Sequence, residues 1–293
     1  MKKIFNKKGI LAVVLTLFVA FGCDDQLAEM NQNPSAINPA DGNVNMLMPL
    51  VLGPAAQRYL DLGLNNMAGA MQQVQLSGWA GGVNYYGWSG SDWTGYYDNL
   101  RQNSLMLKLA QEKGLKFHEG VGLTMRAFLF GQIADYWGDA PYTWAVRGNE
   151  GGIETQYPVY DSQETIYMGV IEDLKNAAAL FATGDVTFVQ ATADLYFNGD
   201  PAAWERFANS LLIRYYVRIS DKKDVKAAVE SIVSGGKFIQ SSTQDATMDY
   251  TGGSSDQWPL IYSNETSSTR YQACKTFIDQ MVSTDDPRLN VLV

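Results

Sequence analysis

Residues 164–181 read ETIYMGVIEDLKNAAALF, with Ile166, Val170, Leu174, Ala177 and Phe181 spaced by 4, 4, 3 and 4. That interval returns apolar side chains to one face of an α-helix, whereas a half-buried strand repeats every two residues. The same test finds helices on both sides. Residues 55–76 follow Pro54 and place Leu60, Leu64, Met67, Met71 and Val74 together; 98–112 end at Gly114; 118–137 carry Val121, Met125, Phe128, Ile133 and Trp137. Asp200-Pro201 offers an N-cap and a proline at the first helical position, ahead of Trp204, Phe207, Leu211 and Tyr215. Further helices are expected over 222–234, stopped by Gly235-Gly236, and over 269–282. Strand character is confined to 187–190 and 237–240. Helices of this length joined by turns predict an all-α, or mostly α, fold of stacked antiparallel pairs, an α-solenoid logic.

Composition narrows the class. The 293 residues are 46% hydrophobic and 18% charged, too apolar for disorder and too polar for a multi-span membrane protein. Lys plus Arg number 22 against 31 Asp plus Glu, a formal charge of -9, which gives nucleic acid and anionic membranes no footing. Lys2, Lys3, Lys7 and Lys8 precede an apolar run from Ile10 to Ala20, too short to span a bilayer and suited to a secretory signal. The run closes on Ala20-Phe21-Gly22-Cys23, which resembles the lipobox of bacterial lipoproteins. The resemblance implies a signal peptide over 1–22 and a diacylated Cys23 as lipid anchor, with two chains for stable attachment. Cys274 then has no disulfide partner. Asp24, Asp25, Asn31, Asn33, Pro34 and Pro39 make 23–43 a polar tether, and 44–293 the folded body. Acidic residues behind a lipidated cysteine resemble the surface-export signal of some Gram-negative lipoproteins, which implies a body on the outer membrane facing the cell exterior.

Aromatic and glycine residues concentrate at 79–97, WAGGVNYYGWSGSDWTGYY. Seven rings stand in 19 residues where the chain average of 12% predicts about two. Five interspersed glycines argue against a regular helix or central strand. Trp79, Tyr85, Tyr86, Trp88 and Trp93 are candidates for a stacking platform, and Asn84 and Asp92 for hydrogen bonds to hydroxyls. Nucleobases also stack on rings, but in basic grooves, and no Lys or Arg lies between Arg58 and Arg101. A neutral, hydroxyl-rich oligosaccharide fits; an apolar peptide is the alternative. A glycan-degrading enzyme needs two carboxylates across the scissile bond. Asp135 and Asp139 fall at a helix end with an ordinary turn role, and Asp92 has no paired acid in sequence. His118, the single histidine, and the loose Ser220-x-x-Lys223 pattern do not make a centre. No CxxC, HExxH or P-loop occurs, so no catalytic residue, metal site or cofactor is expected.

Three stretches carry a family likeness. Asp135 to Tyr142, DYWGDAPY, resembles the F/W-G-D-x-P-Y signature of the SusD/RagB family of outer-membrane nutrient-binding lipoproteins. Asp161 to Leu174, with Tyr167 and Glu172-Asp173-Leu174, is similar to a helix of that family. Asp194 to Ile219 resembles its Y-x-G-D-x-x-x-W-x-x-F-A-N-S-L-x-x-R run through Trp204, Ala208-Asn209-Ser210-Leu211 and Arg214. The resemblance implies a fold of tetratricopeptide-like helix pairs with long aromatic loops. It also implies capture of oligosaccharide, sometimes peptide, for delivery to a TonB-dependent SusC-like transporter. Family chains run longer, and Asp285-Asp286-Pro287-Arg288-Leu289 usually lies mid-protein, so the body is expected to be truncated at the C-terminus. The motif residues also have structural readings: Gly138 to Tyr142 as a helix stop, Trp204 and Phe207 as core, and Asn209 and Arg214 as a buried clamp between helices.

Overall fold

Asn43 starts the first helix, its Oδ1 accepting from the Asn45 amide at 2.9 Å. The computed structural model describes residues 42–77, 82–86, 90–252 and 271–292; the proposed signal peptide, Cys23 and the tether as far as residue 41 lie outside them, as do Trp79 and Trp88. Helix α1 (Val44–Asp61) begins well before the expected position 55 and carries Pro49 and Pro54 inside it. Each proline removes a helical donor, yet burial of Met48, Val51, Leu52 and Ala55 outweighs that loss. The helix widens to π geometry over Leu62–Met67 and ends on a turn at Ala68–Ala70. Val74, expected on the helix, instead lies in β1 (Val74–Leu76).

The next helices follow the sequence reading closely: α2 (Thr94–Glu112), α3 (Lys116–Trp137), α4 (Gln163–Phe181) and α5 (Pro201–Ile219). Asp200 caps α5 through the Ala202 amide at 2.8 Å, Ser162 caps α4 through Thr165, and Gly138 stops α3 at φ +76°. Then come α6 (Lys226–Gly235), ended by left-handed Gly236, and α7 (Lys275–Ser283). Strands do not form at 187–190 or 237–240. Two short antiparallel pairs form elsewhere: β1 with β4 (Tyr271–Ala273), and β2 (Ala140–Pro141) with β3 (Tyr160–Asp161). These positions have no alternating run to announce them, because each pair is held by a remote partner.

Consecutive helices from α1 to α5 pack in chain order, and α3 also meets α1 and α5. The result is the mostly α stack of successive helices that the periodicity predicted, in the tetratricopeptide-like manner that the resemblance implied. Helix α3 is its centre, buried from Phe117 to Ala134 except Glu119 and Arg126. Neighbours approach it through glycines. A Cβ at Gly131 would stand 1.9 Å from the Tyr215 hydroxyl, and one at Gly120 would stand 2.8 Å from Phe181. At the α5 entrance, buried Asp194 accepts from the amides of Tyr196, Phe197 and Gly199 and from Trp204 Nε1 at 2.8 Å. That accounts for the D-x-Y-x-x-G-D-P-x-x-W run: the carboxylate ties the turn to the core tryptophan.

His118 is a core residue. Its side chain is 0% exposed, and Nε2 donates to Asn45 Oδ1 at 2.9 Å while Asn45 Nδ2 donates to the Phe188 carbonyl. Nδ1 has no partner, and burial pushes the imidazole down to about 4. The expected polar clamp is more open than its sequence context suggested. Arg214 is exposed and bonds Tyr59 Oη on α1 at 3.2 Å, and Asn209 donates to the Lys237 carbonyl at 2.8 Å.

Two outcomes follow. Gly131→Ala will lower unfolding free energy by about 2–3 kcal/mol in urea despite the helix preference for alanine, because Tyr215 has no room to move. Gly235→Ala, with open space at its Cβ, will change it by less than about 0.5 kcal/mol. The folded pKa of His118 lies below its unfolded value of 6.5, so its contribution is whole above pH 6.5. It falls by about 3 kcal/mol as pH drops to about 4. The difference in stability between wild type and His118→Gln, followed from pH 7 to 4, will show that slope; parallel curves would refute it.

Candidate functional site

Helix α2 begins inside the aromatic segment. Asp92 Oδ1 accepts from the Thr94 amide at 2.8 Å, and bonds from Thr94 hold the carboxyl below its ordinary range. Trp93 follows as the N-cap residue. Its ring packs at 5.8 Å from Tyr97, 6.0 Å from Trp137 and 5.6 Å from Tyr160, in edge-on or tilted arrangements. Beneath it, the Arg58 guanidinium lies 5.0 Å over the Tyr96 ring, in a slot that exists because residue 95 is glycine.

The opposite wall comes from the helix stop at 138–142. Asp139 Oδ1 accepts from the Gln163 amide at 2.9 Å, binding the end of α3 to the start of α4. Asp161 answers from the other side, accepting from the Tyr142 and Thr143 amides and the Thr143 hydroxyl at 2.8 to 3.0 Å. The β2–β3 pair places Pro141 opposite Tyr160, and Tyr97 Oη donates to the Pro141 carbonyl at 2.6 Å. Burial raises the Tyr97 phenol, so it stays a neutral donor. Between the walls lies an open groove of about 330 Å³, lined by Trp93, Thr94, Tyr97, Asp98, Pro141, Ala145, Val146 and Pro158. Its one carboxylate, Asp98, pairs with Arg101 at 2.7 Å.

The sequence candidates divide. Trp93 lines this groove, half-buried, whereas Tyr96 is core. Tyr85 and Tyr86 stand at the surface, 69% and 53% exposed. Asn84 uses both ends of its amide on Leu76, accepting from its N–H and donating to its carbonyl at 2.8 Å each. It thereby extends β1 by a side chain. Tyr86 Oη accepts from Gln72 at 2.5 Å. Two exposed rings escaped the sequence reading: Tyr157 at 73% and Tyr160 at 62%. Their signal was the Tyr-Pro-Val-Tyr run at 157–160, and only the β2–β3 pairing carries Tyr160 to Trp93.

The acids weighed for catalysis have other partners. Asp135 accepts from Tyr167 Oη at 2.6 Å and meets Arg218 at 3.2 Å; burial raises its carboxyl while both partners pull it back. Asp173, from the family-like Glu172-Asp173-Leu174 stretch, takes a two-pronged bond from Arg126 between α4 and α3.

The described residues thus form a helical stack with a ring-walled groove on it. The chain belongs to the SusD-like family, described as starch-binding and associating with the outer membrane, which matches residues 37–293. Solved structures show the same fold. A SusD homologue of Bacteroides fragilis aligns at 22% identity with a TM-score of 0.66, over 85% of this chain and 52% of its own. A SusD/RagB family protein of Bacteroides thetaiotaomicron aligns at 20% and 0.65, over 84% and 53%. A SusD homologue of Bacteroides uniformis aligns at 20% and 0.63, over 86% and 54%. The chain therefore spans about half the length of these relatives. No curated protein matches it.

Replacing Asn84 by Ala will remove both bonds to Leu76 and speed exchange of the Leu76 amide by about tenfold, worth roughly 1–1.5 kcal/mol. Unchanged exchange would mean that the strand holds without that side chain.

Proposed function

We propose that this protein captures a neutral oligosaccharide at the outer membrane and passes it to a TonB-dependent SusC-like transporter. The observation that carries the reading is the groove beside Trp93, which offers indole and phenol faces, a proline wall and hydroxyl-bonding groups. Its single carboxylate is already paired, so the groove presents no charge of its own. Sugar C–H faces rest on Trp93 and on Tyr160, whose ring lies 5.6 Å from it, with Thr94 and Asp98 orienting hydroxyls. Tyr85 and Tyr86, both exposed, offer further rings from the same aromatic segment of sequence. Asn84 and Asp92 act by holding that loop in place, since their polar atoms already serve the backbone.

The family's description as starch-binding and associating with the outer membrane supports both ligand class and location. Attachment through lipid on Cys23, with the body facing outward, fits the N-terminal sequence. Binding without catalysis is the role assigned. Asp135 and Asp139 are committed to Tyr167, Arg218 and the α4 amide, away from the groove lining.

Tyr160→Ala tests the reading, because its exposed ring can be lost without opening the core. Calorimetric titration with malto-oligosaccharides is expected to show about 5- to 30-fold weaker binding, by analogy with the value of one base–aromatic stack. A wild type that ignores every oligosaccharide and binds peptides instead would replace the ligand class. Shortened sugar products from wild type would overturn the non-enzymatic role.

A further inference from the structure

Behind the aromatic groove, sharing its Ala145–Val146 wall, lies a second cavity of about 520 Å³. Its floor is the seam between α2 and α3, with Asn103, Arg126 and Phe130, and its roof is the segment from Tyr142 to Glu150. The volume falls within the roughly 300–1,000 Å³ of small-molecule sites. Cations reach it from three sides, and each is matched by the protein itself. Arg126 forks onto Asp173, Arg147 onto Glu150 at 2.7 to 3.0 Å, and Lys108 stands 3.9 Å from Glu112. A charged ligand would find no uncompensated partner. The polar atoms alternate between donors on Arg126 and Lys108 and acceptors on Glu150 and Asn103, a pattern that hydroxyls satisfy because each donates and accepts.

Two details mark the cavity as built for an occupant. Asn103 is 1% exposed; its Nδ2 donates to the Gly122 carbonyl at 2.8 Å, but Oδ1 has no partner. A buried amide oxygen is seldom left in that state. In the roof, Val146 sits at φ +55°, a conformation that a β-branched residue avoids, with Arg147 stacked 4.8 Å over Trp144 beside it. Such strain gathers at ligand clamps.

We propose that this cavity is a second saccharide site, taking one neutral sugar ring. Tyr142, half-buried and backed edge-on by the core ring of Phe130 at 4.7 Å, supplies the apolar face. The guanidinium N–H groups of Arg126 left over from its fork onto Asp173 fix one hydroxyl, and Asn103 Oδ1, packed just beneath the lining, takes a second as the wall gives way to admit the ring. The site does not depend on the groove reading, since it shares neither Trp93 nor Tyr160 with it.

Hydrogen exchange of the whole chain, titrated with maltose, tests the proposal. Expected is a slowing of exchange across 142–150 by at least about threefold, because a filled cavity suppresses opening of its roof. Ser104→Trp, which fills the cavity from α2, is expected to abolish that protection, and Tyr160→Ala to leave it. Ser104→Leu, with less bulk, serves the same purpose if the tryptophan variant melts early. Absence of protection in wild type overturns the second site, as does protection that survives both Ser104 variants. Protection that vanishes in Tyr160→Ala assigns the sugar to the aromatic groove alone and overturns it too. Loss of calorimetric binding in Tyr160→Ala with protection of 142–150 intact supports two separate sites.

Discussion

Helix α3 has almost no face turned to water, and the rest of the body is arranged to make that possible. A helix apolar all round must be enclosed by neighbours rather than laid on a surface. Here α2 and α4 flank it, while α1 and α5 close the remaining angles. Enclosure at that density requires small residues, and Gly120, Gly122 and Gly131 supply the recesses into which Phe181, Leu107 and Tyr215 fit. The close fit leaves little slack, which is why one added methyl group matters at position 131 and not at 235.

Polar groups inside such a stack must find partners there. Asp194 satisfies a turn and an indole at once, Asn45 joins His118 to the 188–190 backbone, and Asp173 meets Arg126 across the α3–α4 seam. Asp139 and Asp161 do the same work at the surface, each capping the segment that the other begins. The family-like motifs are therefore mostly architectural. They hold the groove walls in place, while the groove's own faces come from less regular sequence.

Much of the helical stack could be read from apolar spacing and caps. Asp200-Pro201, Gly138 and Gly236 mark real ends, and the stripe from Ile166 to Phe181 is buried throughout. Helix α1 was hidden by its two prolines, whose cost is outweighed by packing that no local window contains. The two-residue and three-residue strands were invisible for a related reason: each is defined by a partner far away in sequence. The candidate site shows the same limit. Trp93 was legible as part of an aromatic cluster, but its neighbour Tyr160 lies 67 positions on, and the turn chemistry of Asp161 brings the two together. Asn84 and Asp92 read as sugar-bonding groups, and the Oδ1 of each also accepts from a local backbone amide, which the sequence pattern did not reveal.

The pairing of Val74 with Ala273 has a consequence for the order in which the molecule assembles. Closing a loop of about two hundred residues carries an entropic cost that the local helix pairs do not face. The helical stack can zip up as the chain is made, each hairpin on the last, but β1 must wait for a partner about two hundred residues further on. The β1–β4 seam is thus the contact that closes after the helices beside it have formed.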